Sequence, residues 1–180
     1  MTEITAASMP PVSFTNRTLA FVAFVIIAFV LLAYAEQRRD SDPETWTCEY
    51  IIDAYTPREF EALLRELWED NGYSAELTSN GADGGVDVFA SKRGVSVAIE
   101  AKQYSPKNTV GRPVVQKVVS ASQQHGRSKA TVVTTSSFTD PAEDACDALR
   151  SNSGVSVELV DGDDLVARLN NSALNPGDVL

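Results

Sequence analysis

Cysteine and histidine are scarce in this 180-residue chain, and basic residues are outnumbered by acidic ones. Cys48 and Cys146 are far apart without C-x-x-C spacing, and His125 is the sole histidine. Neither a zinc centre nor a disulfide framework can organise such a fold, and two free thiols suit a reducing cytoplasm. No G-x-x-x-x-G-K-[ST] loop occurs, so an ATPase or translocating subunit is not supported. Internal repeats and low-complexity tracts are also lacking. Fifteen Lys and Arg face twenty-five Asp and Glu, a formal charge of −10 that argues against a uniformly nucleic-acid-coating surface.

What the chain does have is one long apolar run, Leu19 to Ala35, with no charge, Gly or Pro. With Thr18 it predicts a transmembrane helix over 18–35, near the lower limit for crossing a hydrocarbon layer of roughly 30 Å. Arg17 precedes it and Arg38 and Arg39 follow, a bias that places the carboxy-terminal part in the cytoplasm of a single-pass membrane protein. A secretory signal peptide is the rival, because Ala33-Tyr34-Ala35 has the small-x-small form. Glu3 and a single Arg make a poor positive leader, and the run exceeds the usual apolar core of about 7 to 15 residues. A buried core helix ranks third, since so short a chain can hardly cover a helix apolar all round.

The division expected is a tail over 1–17, the span over 18–35, a linker over 36–54, one domain over 55–170 and a tail over 171–180. Within the domain, Thr56-Pro57 with Glu59 predicts a capped helix start, and Phe60, Leu63, Leu64, Leu67 and Trp68 form its apolar stripe. Gly72 closes that helix. Strands are expected over 73–78, 86–91, 95–102, 130–135 and 155–160. Further helices open at Pro113, at Thr139 with Pro141 and Glu143, and at Asp163. The helix from Pro113 carries Val115, Val118, Val119 and Ser122 on one side. This order of elements predicts an α/β layer domain.

The strands over 86–91 and 95–102 read as a hairpin about Lys92-Arg93-Gly94, with paired positions summing to 187. Val88 then faces Ile99, Ala90 faces Val97 and Val86 faces Ala101 on one apolar face. The other face carries Asp87 across from Glu100, with Lys102 two residues on. Opposed carboxylates roughly 5 Å apart at Cβ repel unless a cation lies between them. Hard oxygen ligands of this kind suit Mg²⁺, with Mn²⁺ as a substitute, and such a site can hydrolyse a phosphodiester. Lys102 could orient the attacking water or neutralise charge at phosphorus. The bland alternative is an exposed strand whose Glu and Lys make weak surface pairs, because short motifs match by chance. Charge is compatible with a DNA substrate. From Val88 to Ala130 eight basic residues meet one acid, Glu100, a local +7 that leaves −17 for the rest.

The runs Gly81-Ala-Asp-Gly-Gly-Val-Asp87, Ile99-Glu-Ala-Lys-Gln-Tyr104 and Val110-Gly-Arg-Pro-Val-Val-Gln116 together resemble the catalytic domain of Mrr-type (type IV) restriction endonucleases, in the PD-(D/E)XK nuclease superfamily. The likeness extends over about 55–170, taking in Glu59-Phe-Glu-Ala-Leu-Leu64, Val132-Val-Thr-Thr135 and Leu159-Val-Asp-Gly162. Val86 stands where the superfamily name has proline. The resemblance implies a restriction-endonuclease-like three-layer α/β/α sandwich with a central mixed sheet. It implies Asp87 and Glu100 as metal ligands, the Ala101 carbonyl as a further ligand, Lys102 as the catalytic lysine, and Glu61 as an outer or second-metal ligand. Gln116 and Lys117, in the first turn of the second helix, would line a DNA path with Tyr104, Lys107 and Arg112. His125, Trp46 and Tyr50 read as helix-end, linker or packing residues.

The function expected is therefore a membrane-anchored, Mg²⁺-dependent DNA endonuclease acting on foreign or modified DNA. A homodimer would supply the two centres needed to cut both strands. One alternative keeps the fold as a catalytically inactive DNA-binding or effector-docking module. Another is a membrane-anchored interaction protein with an acidic docking surface.

Overall fold

The structure, a computed structural model, describes residues 16–39, 45–79 and 84–176. Residues 80–83 of the glycine-rich approach lie outside the described residues, as do 1–15, 40–44 and 177–180. The chain falls into two units that part after residue 42.

The first unit contains one helix, α1 (Asn16–Arg39). Its described side chains run from 21 to 33, and every one is exposed. On those described residues no helix is long and apolar enough to cross a membrane, so the span expected over 18–35 is not shown.

The second unit is built on a five-stranded mixed sheet. It begins with α2 (Cys48–Ala54) and α3 (Pro57–Asp70), followed by β1 (Ser74–Leu77), β2 (Val88–Lys92) and β3 (Val95–Lys102). A two-residue strand, β4 (Thr109–Val110), precedes α4 (Arg112–Gln124) and β5 (Lys129–Thr134). The chain continues through β6 (Ser137–Phe138), α5 (Asp140–Asn152), β7 (Ser156–Val160) and α6 (Gly162–Asn170). The sheet order is β1-β2-β3-β5-β7, antiparallel across the first two pairs and parallel across the last two. Parallel neighbours require crossovers, and α4 and α5 supply them.

Helices cover both faces. On one, the predicted stripe of α3 packs with Val88, Ala90, Val97, Ile99, Val133 and the α6 residues Leu165 and Leu169. On the other, Val115, Val118 and Val119 of α4 meet Ala142 and Cys146 of α5 over Ala130 and Val132. The helix–sheet–helix layering expected of the domain is thus present. Sequence explains the start of α3: Thr56 Oγ1 accepts from the Glu59 N–H, and Glu59 Oε2 accepts from the Thr56 N–H at 2.7 Å. This reciprocal box satisfies two donors that the helix itself leaves open. The β2–β3 turn also follows its residues, because Arg93 (φ 47) and Gly94 (φ 84) both adopt the left-handed region that a two-residue hairpin needs.

Three expectations need correction. The linker assigned to 36–54 is part of the second unit from Trp46 on. Trp46 is only 2% exposed, its N–H donates to Asn170 Oδ1 and its indole donates to the Leu174 carbonyl. Likewise the tail assigned to 171–180 is engaged at Leu174, which packs against the core. Finally, the register 88–99 and 90–97 holds, but Val86 does not join that face. Regular pairing ends at Val88, where the Asp87 N–H bonds to the Ile99 carbonyl, so two-residue alternation no longer governs Val86. Val86 packs instead with Phe89, Ala98 and Ala121 on the α4 side.

Candidate active site

Glu100 is carried by β3 on the side that faces α4, and it is 1% exposed. A carboxylate so deeply placed requires partners or a proton. Its Oε1 takes a hydrogen bond from Lys102 Nζ, which also donates to the Ala101 carbonyl at 3.0 Å. Lys117 Nζ of α4 lies 3.6 Å from the same Oε1. The other oxygen, Oε2, is buried and has no hydrogen-bond partner among the described residues. Burial raises the Glu100 pKa above its ordinary value; Lys102 opposes this, Asp87 adds to it and Lys117 opposes it.

Asp87 stands one residue before β2 and is held by the main chain on both sides. Its carbonyl accepts from the Thr78 N–H at 3.0 Å, and its N–H donates to the Ile99 carbonyl at 2.9 Å. The side-chain Oδ2 accepts from the Ala101 N–H at 2.8 Å, filling the place a strand carbonyl would take. Asp87, Glu100, Ala101 and Lys102 therefore meet at one end of the hairpin.

The segment after Glu100 is pinned by residues whose roles sequence reasoning missed. Thr134 Oγ1 donates to the Lys102 carbonyl at 2.8 Å, and Thr135 Oγ1 exchanges hydrogen bonds with the Tyr104 main chain. Gln103 Nε2 donates to the carbonyls of Ile51 and Tyr55 at 2.8 and 2.7 Å, closing the end of α2. Two threonines ending an otherwise apolar strand, and a glutamine beside the lysine, were the available signals.

The remaining expected residues are distributed differently. Glu61 pairs with Arg58 at 2.5 Å, and Arg58 also donates to the Thr78 carbonyl. Among the described residues no three His, Cys, Asp or Glu side chains converge as a metal-holding group, so Glu61 is not brought in as a third carboxylate. Tyr104 is half-buried against the α4–α5 cluster. Lys107 and Gln116 are exposed, and Arg112 is exposed with its Nε donating to the Pro141 carbonyl. Lys117, expected on the DNA path, reaches Glu100.

A cavity of about 480 Å³ lies elsewhere, lined by Trp68, Tyr73, Lys129, Glu158 and Arg168. Its Glu158 is already matched by Lys129 at 2.7 Å and Arg168 at 2.9 Å. The unsatisfied oxygen of Glu100 is the stronger sign of chemistry, because a buried acceptor without a partner is costly.

The donor set fits a hard divalent cation. Two carboxylates, one of them with an unclaimed buried oxygen, and a main-chain carbonyl are ligands of the kind Mg²⁺ or Mn²⁺ takes.

Comparison with known proteins follows the same lines. No curated protein matches the chain. Among solved structures, the DNA modification-dependent restriction endonuclease AspBHI is 27% identical with a TM-score of 0.56, over 69% of this chain and 34% of that one. AF1548, a protein of unknown function, is 16% identical with a TM-score of 0.49, over 59% of this chain and 58% of that one. This chain thus spans less than two thirds of either. The restriction endonuclease family Mrr_cat matches residues 52–169, a stretch holding Asp87, Glu100 and Lys102. That match takes in well over half of the chain, and the protein belongs to this restriction endonuclease family.

Proposed function

We propose that the domain is a divalent-metal-dependent DNA endonuclease in which Asp87 and Glu100 hold Mg²⁺, with the Ala101 carbonyl as a further ligand and Lys102 as the catalytic lysine. The observation that carries this reading is the buried, unpartnered Oε2 of Glu100 beside a second carboxylate and an ammonium. When bound, the cation would lower the pKa of water and offset charge on the scissile phosphate. Lys102, tethered to Glu100 and to the Ala101 carbonyl, would orient the attacking water and neutralise negative charge growing at phosphorus. Water oxygen bonds to phosphorus as the bond to the leaving sugar oxygen breaks, and that oxygen takes up a proton. Asp87, anchored by the Ala101 N–H, keeps its second oxygen for the cation. Glu61, joined to the Thr78 carbonyl through Arg58, is proposed as an outer ligand.

Tyr104, Lys107, Arg112, Gln116 and Lys117 are proposed to face the DNA strand, where a local basic stretch meets phosphate on an otherwise acidic protein. Foreign or modified DNA is the proposed substrate, with support from the likeness to AspBHI. Cutting both strands requires a second copy or two successive events. The run over 18–35 is proposed to anchor the chain in a membrane with the nuclease domain in the cytoplasm. At 1.5 Å per residue those eighteen positions extend about 27 Å, close to the hydrocarbon thickness.

The test is plasmid cleavage by the full chain with and without Mg²⁺, on modified and unmodified DNA. Asp87→Ala and Lys102→Ala are each expected to lower the rate by at least about 100-fold. Cleavage at the wild-type rate by either variant would defeat the assignment.

A further inference from the structure

Lys117 belongs to α4, outside the hairpin, yet its ammonium shares Glu100 Oε1 with Lys102. Its route is specified by Gly85. A Cβ at that position would collide with Lys117 Nζ and Cε, and Gly85 has a φ of +88, a backbone region that side chains rarely adopt. A glycine there leaves a slot through which the lysine reaches the buried carboxylate.

The two lysines differ in how firmly they are held. Lys102 makes a hydrogen bond to Glu100 and another to the Ala101 carbonyl, and its side chain is 22% exposed. Lys117 has only the 3.6 Å ion pair among the described residues, and its side chain is 52% exposed. A long pair on a half-exposed side chain is weak and easily broken. A third positive charge close to Oε1 would repel whichever ammonium is less tightly bound. That is Lys117, which has open solvent behind it.

On the metal-assisted reading above, we propose that Lys117 is a placeholder cation: it neutralises Glu100 when no divalent ion is bound, and swings out to a DNA phosphate when one is. Lys117 thereby competes with metal for Glu100. It also couples metal uptake to DNA contact, since two ligands that each draw on one mobile group are thermodynamically linked.

The test is calorimetric titration of the full chain in detergent micelles with Mn²⁺, using no DNA and no turnover. Lys117→Met is expected to tighten Mn²⁺ binding about two- to fivefold, the size of a weak, partly exposed ion pair. Lys117→Arg keeps a cation on α4 and should stay close to wild type. Lys92→Met removes the same charge at the far end of the hairpin and should leave the Kd unchanged. In a separate binding assay, the gain in duplex affinity brought by Ca²⁺ is expected to shrink in Lys117→Met. Unchanged or weaker Mn²⁺ binding by Lys117→Met, with wild type binding and Glu100→Gln not binding, would overturn the placeholder role and leave the metal site standing. If wild type takes up no Mn²⁺, the metal site and the placeholder fall together.

Discussion

Glu100 and Glu158 are both strand glutamates pushed toward the protonated form by burial, and their partners decide the outcome. At Glu100, burial wins and the pKa rises. Its folded form therefore gains stability fully present below the ordinary value of 4.5, lost as pH rises through the raised value. A divalent cation at this carboxylate would favour its ionised form and so oppose the effect of burial. At Glu158, burial is outweighed by hydrogen bonds from Lys129 and Arg168, and the pKa falls. The sign is then reversed: stability is present above 4.5 and lost as pH drops through the lowered value. Glu158→Gln is expected to destabilise the protein by about 1–2 kcal/mol at pH 7, the worth of charge-assisted hydrogen bonds. In urea unfolding the gap between variant and wild type should close as pH falls below 4.5 and through the lowered value. A gap of the same size in acid would mean that the ion network is not its source.

At the scale of elements, most of the domain was legible because its signals are local. The capping box at Thr56, the stripe of α3, the turn at Arg93-Gly94 and the register Val88–Ile99 each depend on residues within about a dozen positions of one another. The register itself stops at Val88, and Asp87 approaches the Glu100–Lys102 end of β3 just beyond it, through the Ala101 N–H. What could not be read depends on distant partners. Trp46 has no periodic neighbours in sequence, and its burial is decided by Asn170 and Leu174, more than a hundred residues away. The pair β4–β6 is two residues wide, too short for any pattern, and Lys117 reaches Glu100 only because a crossover lays α4 beside Gly85. Val86 was misplaced because alternation was extended one step past the end of the ladder. If 46–54 belongs to the domain, Trp46→Ala should cost about 3–5 kcal/mol, the range for truncating a buried aromatic. A linker tryptophan would change stability by under about 0.5 kcal/mol. The urea midpoint separates the two.

At the scale of the whole molecule, the two units have opposite solvent requirements. The second unit buries its large apolar side chains almost completely; among its described residues Val95 is the sole large hydrophobic counted as exposed. The first presents Phe21, Phe24 and Phe29 at 68, 70 and 72% exposure, with Ile26, Ile27, Leu31 and Leu32 between and beyond them. Such side chains lie on every side of α1, so no single protein groove could cover them, whereas hydrocarbon can. Each costs roughly 1.5–3 kcal/mol when left in water rather than buried. On the proposed anchor, the full chain is expected in the membrane fraction, retained through high-salt and alkaline washes and released only by detergent. The chain from Pro43 onward should be recovered in the soluble fraction with the proposed metal-dependent cleavage intact. Arg38 and Arg39 further predict that protease added to sealed inside-out vesicles digests the nuclease domain, while protease outside intact cells does not. Release of the full chain by salt alone would show that α1 is held by charge at a surface, and the anchor would have to be given up.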